Sequence, residues 1–202
     1  MTNPENILQV LHLIRSGLAS GILKKEAIIE WAENIITVDK EPDIFFIDLF
    51  LLSTKSKNDL IQFFSKYLNY EKPFVKGRQL LGLLYIQYNN NQINLDETLS
   101  KLLRLRYEAL FTDEEEDYIY TLENNYDAAI NCKHITIEEI EIELINFLKI
   151  YKSYSSVNFE NWNEYDLLIE SEIDLAIKNQ QNQIAIYNEY FLNRNKQWWK
   201  FW

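Results

Sequence analysis

The stretch Lys24-Lys-Glu-Ala-Ile-Ile-Glu-Trp31-Ala-Glu-Asn-Ile-Ile36, followed by Pro42-Asp-Ile-Phe-Phe-Ile-Asp-Leu-Phe-Leu-Leu52, decides the fold class. In its first part Ala27, Ile28, Trp31, Ala32, Ile35 and Ile36 recur at i, i+1, i+4, i+5, i+8 and i+9, the spacing of a helix with one core-facing side. Val38 to Glu41 is polar and turn-like. Pro42 pre-sets φ for the next helix start. Ile44 to Leu52 is apolar around most of a helical circumference, which predicts burial between neighbours.

The same period continues on both sides. Pro4 suits a first helical turn behind Thr2 or Asn3. Ile7, Leu8, Leu11 and Ile14 predict a helix to about Arg15, stopped by Gly17 and Gly21. Ser56-Lys-Asn-Asp59 caps a helix carrying Leu60, Ile61, Phe64, Tyr67 and Leu68. Pro73 is expected to open a fifth helix through Leu80, Leu81 and Leu84, with Gly82 marking a close helix approach. Asn94-x-x-Glu97, Thr112-x-x-Glu115 and Thr136-x-x-Glu139 each have the spacing that lets a side chain at the cap and an acid three residues on satisfy orphan N–H groups. Lys152 to Asn158 reads as a polar linker. Trp162 to Ile177 predicts a further helix, and residues 173–187 fit a helix better than the alternative hairpin because no turn glycine is present.

The expected fold class is therefore all-α. Nine or ten helices would form antiparallel hairpins in a helical bundle or HEAT-like array. A chain of 202 residues suits one such domain, with residues 1–91 and 92–202 as two lobes. Four glycines and three prolines are too few for a loop-rich all-β fold. Met1-Thr-Asn-Pro4 is not followed by a charged segment and then an apolar one, so no signal peptide is expected. The longest apolar run is well short of the ~20 residues that span a bilayer. With Cys132 as the single cysteine, a reducing, cytoplasmic setting is expected.

Charge is unevenly spread. Of the net −11, residues 107–174 alone contribute −15, from 18 acidic and 3 basic side chains. Such a field repels nucleic acid and anionic membrane and attracts cationic partners. The run Asp113, Glu114, Glu115, Glu116 and Asp117 reads in two ways. It is a solvated helix start favoured by the helix dipole, or a landing site for a basic partner shared with Glu138, Glu139, Glu141 and Glu143. The latter four are expected to face water, opposite Ile137, Ile140 and Leu144.

Catalytic chemistry finds little to stand on. The two histidines, His12 and His134, lie far apart, and no Cys-x-x-Cys or His-Glu-x-x-His occurs, so no metal or other cofactor is expected. There is no nucleophile elbow and no phosphate-cradling glycine loop. A hydrolase with a carboxylate-lined cleft remains an alternative. So does a helical scaffold that oligomerises through Trp198, Trp199, Phe201 and Trp202, although this tail is expected to dock on its own domain. Trp31 reads as core. Asp48 reads equally as a buried carboxylate with a donor or as part of an exposed strip.

Ile14-Arg-Ser-Gly17-Leu, Lys25-Glu-Ala-Ile-Ile-Glu-Trp31-Ala32 and Glu41-Pro42-Asp43 before an Ile/Leu-rich helix resemble uncharacterised all-helical bacterial families found among immunity proteins of polymorphic toxin systems. The resemblance covers about residues 14–52. It implies a small cytoplasmic protein that binds and neutralises a toxin, with no catalytic residues to carry over. The resulting expectation is a non-enzymatic protein that binds a basic protein partner.

Overall fold

The computed structural model describes residues 3–73, 75–132, 136–154, 170–171, 173–179 and 182. They are all-α. The helices are α1 (Leu8–Ser20), α2 (Lys25–Val38), α3 (Ile44–Leu51), α4 (Lys57–Tyr67), α5 (Arg78–Asn89), α6 (Leu95–Glu108), α7 (Asp113–Cys132) and α8 (Ile137–Lys149). Residues 173–179 are also helical, so this part of the ambiguous 173–187 stretch is not a hairpin. The aromatic tail, His134 and the Trp162 segment lie outside the described residues.

Helix starts follow the caps read from the sequence. Asn3 accepts the Glu5 N–H (2.8 Å) at the head of a 3-10 turn, Pro4–Ile7. At α4 the Ser56 hydroxyl accepts the Asp59 N–H, and the Asp59 carboxylate accepts the Ser56 N–H (2.8 Å). The reciprocal pair recurs at Asn94 and Glu97 for α6, at Thr112 and Glu115 for α7, and at Thr136 and Glu139 for α8. Each pair satisfies two backbone donors that the first turn leaves orphaned.

Helices α5, α6, α7 and α8 pack each on the next, and α8 returns to α5, closing a four-helix ring. Leu80, Leu84, Leu102, Ile119, Leu122, Leu144 and Phe147 are among the residues filling it. Helix α1 lies against both α6 and α4, and α2 packs on α3. A second apolar cluster is drawn from α1 to α4, with Phe46, Leu49, Leu60 and Phe64 at its centre. Trp31 meets the Phe46 ring edge-on at 5.4 Å, as its core reading requires. The first cluster runs from Val75 onward but also takes in Leu13 and Ile22, so the α1 region contributes to both clusters.

Several expectations are corrected. Helix α1 does not stop at Gly17 but runs to Gly21, which caps it with φ 81°. Gly17 is a packing position instead: a Cβ there would lie 2.7 Å from Leu23 Cδ1 and 3.0 Å from Leu80 Cδ2. Helix α5 begins at Arg78 rather than Pro73. Leu110 N–H donates to the Val75 carbonyl (2.8 Å) and Gly77 N–H to the Leu110 carbonyl (2.9 Å), so an extended bridge uses the backbone groups a longer helix would need. Helix α3 is not buried all round. Phe45, Phe46 and Leu49 face inward, while Ile44 and Leu51 are 66% and 65% exposed. Asp48 shares that outer strip and is exposed, which disposes of the buried-carboxylate reading. The stretch read as a polar linker from Lys152 carries a fully buried aromatic, Tyr154, next to the equally buried Tyr151 that ends the α8 stripe.

Candidate functional site

The acidic run begins at the Thr112 cap, and the helical period sorts its members. Three, four and seven residues after Glu115 come Tyr118, Ile119 and Leu122, all buried, so Glu115 stands on the inner face of α7. There its Oε1 accepts from Arg78 Nε (2.7 Å) and from the Tyr151 hydroxyl (2.8 Å), while Oε2 holds the Thr112 N–H (2.8 Å). The Arg78 guanidinium also donates to Asp174 and lies 3.8 Å from Glu170. Burial opposes the charge on Arg78, but the Glu115 and Asp174 carboxylates outweigh it and raise the pKa above the ordinary guanidinium value. Burial, with Glu115 beside it, holds the Tyr151 phenol well above its usual range. Glu115 is therefore an internal strut and does not belong to a partner-facing set.

Three of its four neighbours in the run face outward. Asp113, Glu116 and Asp117 are exposed and Glu114 is half-buried. On α8, Glu138 and Glu139 are exposed, with Glu139 also engaged in its cap. Glu141 and Glu143 are half-buried, contrary to the expectation that all four face water. Tyr88 donates to Glu141 (3.4 Å) and the Asn125 amide to Glu143 (3.3 Å). Burial pushes the Glu143 carboxyl pKa up, and the nearby Glu139 charge adds to the shift against the Asn125 hydrogen bond. Ile142 is 59% exposed between these acids, and Ile137, expected inside, is also exposed.

The two acidic groups do not merge. Tyr118 stacks on Phe147 with ring centroids 4.6 Å apart, while Asn125 meets Glu143, so α7 and α8 run antiparallel. At 1.5 Å rise per residue, Asp113–Asp117 and Glu138–Glu139 are separated by roughly 15 Å along the pair. The carboxylates form a band rather than one cluster.

Beside this band lies an open groove of about 690 Å³. Its walls are Tyr85 and Tyr88 of α5, the 89–94 turn, Glu97 of α6, and Glu141 and Ile145 of α8. It holds two carboxylates, but both have protein partners: Glu97 accepts the Asn94 N–H and Glu141 the Tyr88 hydroxyl.

Other polar groups serve the fold. Arg15 of α1 pairs with Glu108, donates to Ser65 Oγ (3.0 Å) and lies 3.4 Å from the Tyr70 ring centroid, joining α1, α4 and α6. The Ser16 hydroxyl donates to the Glu108 carbonyl (2.6 Å) and that of Ser20 to the Ser16 carbonyl (2.8 Å). His12 is half-buried beside Tyr70, and burial, then Arg15, lowers its pKa. Among the described residues no group of three or more His, Cys, Asp or Glu is placed to hold a metal ion, and no helix is long and apolar enough to cross a membrane. Arg15 and Arg78 were not singled out by sequence. Their signal is an arginine set within an apolar helical run, as in His12-Leu-Ile-Arg15 and Arg78-Gln-Leu-Leu81. Comparison with protein-family models, curated proteins and solved structures yields no match to this chain.

Proposed function

We propose that this chain is a non-catalytic binding protein whose acidic α7–α8 side receives a basic protein partner, in the manner of a cytoplasmic immunity protein that neutralises a toxin. One contrast carries the reading. The more buried carboxylates Glu108 and Glu115 are each matched to an arginine. The outer carboxylates Asp113, Glu116, Asp117 and Glu138 have no basic side chain within ion-pair distance among the described residues. Charges that serve the fold are paired. The outer ones repel each other and project a field that raises the local concentration of cations. The exposed Ile142 supplies an apolar contact inside that charged rim, the usual make-up of a binding patch.

The test is affinity capture from the native source with the full chain and with a D113N/E116Q/D117N/E138Q variant. A basic protein held by the wild type and released by the variant is the expected result. A partner held equally by both contradicts the reading.

A further inference from the structure

We propose that the groove between α5, the 89–94 turn and α8 seats an arginine side chain of the basic polypeptide partner. This rests on the function proposed above and names the subsite.

Two arginines of the chain show one way this fold holds a guanidinium. Arg15 lies over the Tyr70 ring and pairs with Glu108. Arg106 lies 5.8 Å from the Tyr120 ring centroid and 3.8 Å from Glu123. In both places a tyrosine face and a carboxylate meet one guanidinium. The groove repeats those two components: Tyr85 and Tyr88 one helical turn apart, with Glu141 hydrogen-bonded to the Tyr88 hydroxyl. Among the described residues no basic side chain lines it. Lys101, four residues along α6 from the lining Glu97, donates to Gln87 Oε1 (3.1 Å) instead.

The chemistry favours guanidinium over other groups. Its flat face stacks on a phenol ring while its edge donates two parallel bonds to a carboxylate. The Asn89, Asn91 and Gln92 amides of the turn add acceptors at the rim. The volume is within the roughly 300–1,000 Å³ of ordinary binding pockets, but the groove is open along its length. It therefore suits a side chain on a polypeptide laid across it, approached past the exposed Glu138 one turn before Glu141.

The test is calorimetric titration of the full chain with a hexa-arginine peptide, with hexa-citrulline as the uncharged counterpart. The wild type should bind the first and not the second. Glu141→Gln should weaken binding about tenfold, the size of one lost charge-assisted contact. Glu141→Lys should abolish it, and D113N/E116Q/D117N at the far end of the band should weaken it less than Glu141→Gln does. Unchanged binding by Glu141→Gln together with weakening by the triple variant overturns the groove and leaves the basic-partner reading standing. Absence of hexa-arginine binding to the wild type overturns both. Tighter, equally Glu141-dependent binding of spermine would assign the groove to a free polyamine and overturn the proposal. Unchanged thermal midpoints of the variants keep these outcomes separate from misfolding.

Discussion

Arg78 and Glu115, 37 residues apart in sequence, meet at 2.7 Å with side chains only 2% and 1% exposed. The pair joins the first residue of α5 to the first turn of α7. Tyr151 and Asp174 bring two later segments to the same point. Taking two charges out of water is costly, and this geometry offsets the cost only while every member is present.

Glu115→Ala should therefore destabilise the protein by about 3–5 kcal/mol, because it leaves Arg78 buried without its main partner. Asp113→Asn, two residues away on the outer face, should stay within about 0.5 kcal/mol. Urea denaturation checks both. Equal effects would mean that the inner and outer faces of α7 are wrongly assigned.

Gly82→Ala separates helix propensity from packing. In an open helix the change would stabilise by ~1 kcal/mol. Here the new Cβ would lie 2.5 Å from the Tyr151 carbonyl oxygen and 2.6 Å from Tyr154 Cβ, neither of which is the free end of a flexible side chain. Overpacking of that kind costs about 1–3 kcal/mol, so net destabilisation is expected. A raised melting temperature would show that the 151–154 segment does not press on α5.

Glu143 makes stability depend on pH in a stated direction. Its folded pKa lies above the ordinary glutamate value because burial disfavours the charge. The folded state thus holds the proton more tightly than the unfolded one, and stability falls as pH rises through and above that ordinary value. Glu143→Gln keeps an acceptor for Asn125 and removes the charge. It should match the wild type in acid and exceed it at neutral pH by about 0.5–2 kcal/mol. A variant less stable than the wild type at pH 7 would contradict this.

His12 acts over a different window. Burial and Arg15 lower its pKa, so as pH falls through the ordinary histidine range the unfolded chain takes up a proton that the folded chain does not. Stability should decline there, and His12→Gln should flatten that part of the pH profile. A profile with the same slope in both proteins would remove His12 as the cause.

The helices were legible because their signals are local. The Asn94, Thr112 and Thr136 caps and the 3.6-residue stripes need only nearby residues. What escaped reading depends on long-range pairing. Gly17 resembles a stop until Leu80 is known to lie against it, and Pro73 resembles a start until Leu110 is known to pair with Val75. The acidic run shows the same limit within five residues. Composition treats Asp113 to Asp117 alike, yet Glu115 faces Arg78 while Asp113, Glu116 and Asp117 face outward. The spacing of Glu115 from Ile119 and Leu122 is a local signal for the inner side, against the partner-facing expectation for it; the arginine it meets lies 37 residues away in sequence.

The most direct test of an acidic docking face is the association rate of the captured partner, measured by stopped flow as ionic strength rises from about 0.01 to 0.15 M. Screening shortens the reach of exposed charges from about 30 to 8 Å over that range. A rate that falls about tenfold or more, with a weaker fall for the D113N/E116Q/D117N/E138Q variant, is the predicted result. A rate that does not change with salt would contradict the account.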